Sequence, residues 1–268
     1  MADDLGTNLV QLQDLKNGVL LIKLNKPQSG NSLHPVLLAD LRQVIQWANQ
    51  QNTVQIIVLT GNGPFFCTGM ELISDEEISF ALGADFHQLN KELILSEKIL
   101  IAAVNGPAVG YGTTCLALFD LVYSVPEAYF FLPFIKWGFL PEATASFSFG
   151  RMMGHQRASS LFLTGERIFA PEAERLGLVS RVLLSENFLG QVLAIADSID
   201  RSPGGSLQAT KRLMKHPLVK DLLDTNDREC RLLQEERMSS DNVKYAKEQF
   251  KIERGRKRRE RQEVKASL

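Results

Sequence analysis

Short apolar runs alternate with longer amphipathic stretches over most of the chain. Val10–Asp14 and Val19–Asn25 flank Lys16-Asn17-Gly18. Asn-Gly there predicts a hairpin, because both central residues of a tight turn must accept positive φ. Lys26–Asn31 reads as a loop, Ser32 as a helix N-cap, and Pro35 as part of the first turn. Leu37, Leu41, Val44, Ile45 and Ala48 keep one helix face apolar. Val54–Leu59 is short and β-branched, hence a buried strand, and Gly61-Asn62-Gly63-Pro64 ends it. Ser74–Glu97 reads as mostly helical, Ile101–Val104 as a strand, Asn105-Gly106-Pro107 as a turn. Thr113–Phe119 reads as a small helix and Leu121–Ser124 as another strand. Strands alternating with helices predict an α/β fold. There is no strict repeat, only a recurrence of strand, strand, helix. From about Pro203 the strand signals vanish, and Ser206–Lys215 and Leu218–Arg261 read as helices. The expected division is a core over residues 1–202 and a helical region over 203–268.

Composition narrows the function classes. Of 268 residues, 44% are hydrophobic and 23% charged, with a formal net charge of −1, so no global field selects for nucleic acid or an anionic membrane. The longest clean apolar run, Ile99–Val104, falls far short of the roughly 18 residues a spanning helix needs. Cys67, Cys115 and Cys230 lack metal-ligand spacing and do not make a disulfide framework. Lys251–Lys265 holds eight basic and three acidic residues, a net +5 that leaves about −6 for the rest. Without interleaved aromatics it reads as a solvated helix end rather than a nucleic-acid patch. The acidic start, Met1–Leu5, does not resemble a secretory signal or a mitochondrial presequence. Ala266 and Leu268 suit the first and third positions of a peroxisomal C-terminal tripeptide, whereas Ser267 departs from its basic middle residue.

Two glycine-bearing loops carry the candidate chemistry. Gly61–Leu72 and Ala103–Gly112 each follow a buried strand, and the second leads into a helix. Brought together, free N–H groups from two such loops would stabilise a negative oxygen. Spacing alone favours two ordinary glycine-rich turns. Glu142 follows Pro141 and is either a helix-start acid or a catalytic one. His34, His87, His155 and His216 are scattered without Ser or Cys partners, and Asp120 reads as structural.

Phe65–Leu72 and Ile101–Asp120 resemble the two oxyanion loops of the crotonase, or enoyl-CoA hydratase/isomerase, superfamily. Within it, Pro133–Glu142, Leu163–Glu166 and Glu174–Val179 are most similar to the peroxisomal Δ3,Δ2-enoyl-CoA isomerases. The resemblance runs from about Val10 to Lys215. It implies an α/β, crotonase-like spiral of repeated ββα units with a helical C-terminal region. It implies the backbone N–H groups of Met70 and Tyr111 as oxyanion donors, with Gly69 and Gly110 turning the chain. Thr68, Glu71 and Leu72 would border the thioester and its pantetheine arm. The two glutamates that serve hydratases fall on Thr114 and Phe134, so Glu142 is left as the catalytic residue. Phe134, with Phe130, Phe131 and Trp137, would form an apolar wall beside it. The resemblance also implies an acyl-CoA substrate whose coenzyme A is no separate cofactor, no metal, a trimer or hexamer, and a peroxisomal address read by an import receptor. The implied reaction is the Δ3,Δ2 isomerisation of fatty-acid β-oxidation; the alternatives are a crotonase-like acyl-CoA enzyme of a secondary-metabolite pathway and a non-catalytic acyl-CoA-binding or protein-binding module, with cytoplasmic or mitochondrial residence as the other locations.

Overall fold

The computed structural model describes residues 7–15, 17–72, 77–203, 205–238 and 240–266, without the side chains of 254 and 257–266. The acidic start at 1–5, Lys16, Ser74, Ser267 and Leu268 lie outside the described residues, and of Ala266 only the backbone is described.

The hairpin forms as the Asn-Gly pair predicts. β1 (Val10–Asp14) pairs antiparallel with β2 (Val19–Leu24), and Gly18 turns the chain at φ 78°. Asn17 ties it down, its Nδ2 donating to Asp197 Oδ1 at 2.8 Å. Helix α1 (Pro35–Gln50) buries Leu37, Leu41, Val44, Ile45 and Ala48 along one face. Its N-cap is His34, not Ser32: His34 Nδ1 accepts from the Val36 amide, while the Ser32 hydroxyl is spent on Ser29.

β3 (Ile56–Gly61) and β4 (Ile99–Val104) are buried along their whole length, as expected of central parallel strands. Each fully buried Leu or Ile there contributes about 1.5–3 kcal/mol. Between them, among the described residues, only Asp85–Leu95 is helical (α2), shorter than the 74–97 stretch read from the sequence. Residues 77–84 stay irregular, with Phe80 buried against Phe86 and its amide donated to Gln234 Oε1.

The second half of each unit builds a second layer. β5 (Ala108–Val109) leads into α3 (Tyr111–Thr114), which continues as a tighter turn over Cys115–Leu118. β6 (Leu121–Ser124) is followed by β7 (Tyr129–Phe131), α4 (Ala145–Met153), α5 (His155–Thr164), β8 (Arg167–Phe169) and α6 (Ala170–Arg175). β9 (Arg181–Val182) and α7 (Phe188–Asp200) complete this part. The large sheet has the order β1-β2-β3-β4-β6-β9, parallel beyond the hairpin, and β5-β7-β8 form the small one. Within the large sheet each later strand is laid beside the earlier one, while β5, β7 and β8 go to the small sheet, so strand–strand–helix units wind as a spiral.

The C-terminal helices divide elsewhere than Pro217 predicts. α8 runs unbroken from Ser206 to Leu232 with Pro217 inside it. A proline there costs about 3 kcal/mol. Buried anchors offset that cost: Lys211 reaches Asp120 Oδ2 at 2.6 Å and also the Lys98 carbonyl, and Lys215 reaches the Leu93 carbonyl at 3.0 Å. The break falls at a wide turn over Leu233–Arg237, before α9 (Asp241–Ala266). Among the described residues, no helix is long and apolar enough to cross a membrane.

Candidate active site

The first glycine loop is assembled by Asn31, itself at φ 54°. Its Nδ2 donates to the carbonyls of Asn62 (3.0 Å) and Phe65 (2.8 Å), and its Oδ1 accepts the Lys26 amide. The chain then runs beside Leu33. The Leu33 amide donates to Gly69 O (2.8 Å), and Leu33 O accepts from the Glu71 amide (2.9 Å). A parallel bridge of this kind engages residues 69 and 71 and leaves the intervening Met70 amide directed elsewhere.

The second loop locks against the first. The Val109 amide donates to Cys67 O (2.9 Å) and the Gly110 amide to Phe131 O (2.8 Å). Gly110, at φ 55°, turns the chain so that Tyr111 opens α3. Tyr111's ring points away into the core, edge-on to Phe86, and its hydroxyl donates to Asn90 Oδ1 at 2.9 Å. Gly112 allows the loops to touch: a Cβ there would lie 2.2 Å from Cys67 O.

Met70 and Tyr111 line one cavity of about 510 Å³, together with Thr68, Gly69, Glu71, Leu72, Gly110, Phe134 and Glu142. The structure thus gathers the residues that the sequence singles out for the site. Neither the Met70 nor the Tyr111 amide has an acceptor among the described residues. Phe131, Phe134 and Trp137 form part of the wall. Phe130 does not: it pairs with Ala108 and Ile168 inside the small sheet and is 1% exposed. Phe134 stacks on Phe162 at 6.4 Å between ring centres. Thr114 is fully buried outside the cavity, its hydroxyl directed at the carbonyls of Gly110 and Tyr111.

Three carboxylates line the cavity, and their surroundings differ. Glu71 pairs with Lys26, and Glu253 pairs with Lys136 at 3.2 Å; both acids are partly exposed. Glu142 is 1% exposed, and among the described residues neither of its oxygens has a hydrogen-bond partner. Burial first, and then the negative charge of Glu229, hold its carboxyl well above the usual range. It does not act as a helix-start acid. α4 begins three residues later, and its first amides are taken by another side chain, Glu229.

Sequence reasoning passes over several neighbours. Phe65, Phe139, Arg167, Phe250 and Glu253 also line the cavity. Phe250, from α9, packs edge-on against Trp137 at 5.0 Å. Glu229 lies in a densely charged helix, and nothing in its local pattern marks it. Among the described residues no cluster of His, Cys, Asp and Glu could hold a metal, and all three cysteines are buried and free.

Two loops whose unbonded amides belong to residues lining one cavity, with a buried acid beside them, can hold a developing oxyanion and move a proton. A family model described as enoyl-CoA hydratase/isomerase matches residues 14–260. The chain belongs to that family. It is a crotonase-family acyl-CoA enzyme with the crotonase α/β fold. It is similar to human enoyl-CoA delta isomerase 2, 30% identical over 228 residues, covering 82% of this chain and 57% of the human protein. This chain therefore spans little more than half the length of that relative. It is also similar to 2,3-dehydroadipyl-CoA hydratase of Escherichia coli K12, 35% identical over 199 residues, covering 74% and 78%. An enoyl-CoA hydratase/isomerase structure from Pseudoalteromonas atlantica T6c superposes with a TM-score of 0.84 at 28% identity, covering 91% of this chain and 97% of that one. Isomerase and hydratase stand at comparable identity, so the reaction has to be argued from the cavity of this crotonase-family enzyme.

Proposed function

We propose that this enzyme shifts the double bond of a 3-enoyl-CoA into the conjugated 2-position. One observation carries the reading: Glu142 alone among the cavity acids is buried and unpaired. Hydration by the family's paired glutamates needs two carboxylates, and the resemblance to the family puts Thr114 and Phe134 at those positions.

The chemistry follows from what surrounds the substrate. The C2 hydrogens of a 3-enoyl thioester are acidic, because carbonyl and alkene flank them. Glu142 takes one of these protons, and the electron pair spreads over a dienolate whose charge rests largely on the thioester oxygen. The amides of Met70 and Tyr111 hold that oxygen. Loss of one such donor costs about 2.7–4 kcal/mol of transition-state stabilisation. Glu142 then returns the proton to C4 and is again a carboxylate. One base suffices, since it alternates between acceptor and donor. Burial makes that carboxylate a stronger base than one in water, and the apolar wall of Phe131, Phe134 and Trp137 keeps hydroxide and water from the dienolate.

The test is an assay of purified protein with 3-enoyl-CoA of several chain lengths. The conjugated 2-enoyl thioester should accumulate with the wild type. Glu142→Gln should lower the rate by about 100-fold or more, the scale of a lost general base. Equal activity in that variant would remove Glu142 as the base. Product running on to 3-hydroxyacyl-CoA would turn the reading to hydration.

A further inference from the structure

α8 grips the start of α4 through one buried acid. Glu229 is 5% exposed, and its two oxygens accept from the amides of Thr144 (2.7 Å) and Ser146 (2.9 Å). Those amides open α4, where unused N–H groups favour a carboxylate. Between Glu142 and α4 the chain makes two consecutive left-handed residues, Ala143 at φ 55° and Thr144 at φ 64°. L-residues adopt that conformation only when their surroundings enforce it. The Glu229 fork grips the downstream end of the turn, and Glu142 projects from its upstream end into the cavity.

We propose that Glu229 is a positioning residue for Glu142. By occupying the Thr144 and Ser146 amides it fixes the left-handed turn that presents Glu142 to the cavity. It also denies Glu142 the hydrogen bonds that would weaken it as a base. The proposal rests on Glu142 being the base.

The physical reason has two parts. A carboxylate that accepts backbone N–H bonds is stabilised as an anion and gives up basicity. With the helix amides already engaged, Glu142 keeps its full basicity. The second part is charge. Glu229 is the acid whose charge acts on Glu142, adding to the effect of burial. The other titratable groups coupled to Glu142 are Cys67, Tyr111, Cys115 and Cys230. Burial pushes Cys67 and Cys230 up to about 12 and raises Tyr111 and Cys115 well above their ordinary values, so all four stay neutral. Burial pushes Glu229 itself up to about 7, against the pull of its two amides and of Arg228. The two acids therefore titrate as a coupled pair.

The experiment measures pH profiles of kcat and KM for 3-enoyl-CoA isomerisation, using the full chain as wild type, Glu229→Gln, Glu229→Asp and Glu142→Gln. Glu229→Gln removes the charge and one of the two acceptors. It should lower kcat by about tenfold or more with KM within about twofold, and move the acid limb of the profile to lower pH. A purely structural role would reduce the amount of folded enzyme and leave that limb in place. Glu229→Asp keeps the charge on a shorter arm, so kcat should fall while the limb stays at its wild-type pH. Wild-type kcat with an unmoved limb in Glu229→Gln overturns the proposal. If that variant does not fold, wild-type kcat in Glu229→Asp overturns it. Full activity in Glu142→Gln removes the premise instead, and is recognised because it is read in a variant that leaves Glu229 intact.

Discussion

Gly69 packs directly against the amide of Tyr111. A Cβ added to Gly69 would stand 3.3 Å from the Tyr111 nitrogen and 2.7 Å from the Val109 carbonyl. The two glycine loops are therefore in backbone contact, and their spacing is set where no side chain fits.

Gly69→Ala should accordingly damage catalysis more than binding. Its φ of 78° strains any L-residue, and the methyl group pushes the loops apart. Displacing one oxyanion donor predicts a kcat about 100-fold lower, with KM much less affected. Steady-state kinetics with 3-enoyl-CoA check this, and an undiminished kcat would exclude Met70 and Tyr111 as the donors.

Stability should carry the signature of the raised acids. The folded state holds a proton on Glu229 up to about pH 7, whereas an ordinary glutamate releases it near 4.5. That contribution is complete below the lower value and is lost as pH rises through the upper one. The unfolding free energy of wild type minus that of Glu229→Gln should therefore fall between pH 5 and 7, by about 1.4 kcal/mol per unit at most. Urea denaturation at several pH values measures the difference, and a flat or rising difference contradicts it.

Lys211 fastens α8 to the main sheet. It is nearly fully buried and pairs with Asp120, which also accepts the Leu100 amide of β4 at 2.8 Å. Lys211→Met leaves Asp120 without its cation and should destabilise the fold by about 3 kcal/mol. Replacing both members, as Lys211→Met with Asp120→Asn, should cost less than the single change. Denaturant midpoints decide between these outcomes.

Phe250 closes the cavity from α9. Truncation to Ala removes its edge-on contact with Trp137, of a kind worth about 0.5–1.5 kcal/mol. KM should rise several-fold while kcat holds, and amide exchange along the first turns of α9 should quicken. A KM equal to that of the wild type would detach this helix from substrate binding.

The central strands were the most legible part of the chain. The runs within Val19–Leu24, Ile56–Gly61 and Ile99–Val104 are buried on both faces, so their apolar character needs no tertiary knowledge. The helices read over Ser206–Lys215 and Leu218–Arg261 do not part at Pro217, because side-chain anchors from Lys211 and Lys215 outweigh its local penalty. Residues 77–84 misled because Phe80 and Ile78 are buried without being helical. Glu142 stood out through the motif around it. Glu229 did not: its meaning comes from contact with Thr144, 85 residues earlier in the chain, and no local pattern encodes that meeting.

The isolation of Glu142 has a consequence for isotopes. Glu142 is only 1% exposed, so a proton lifted onto its carboxyl trades slowly with bulk solvent. Deuterium placed at C2 of a 3-enoyl thioester should then reappear at C4 of the product rather than wash out, making label retention a direct record of how tightly the fold seals this one side chain.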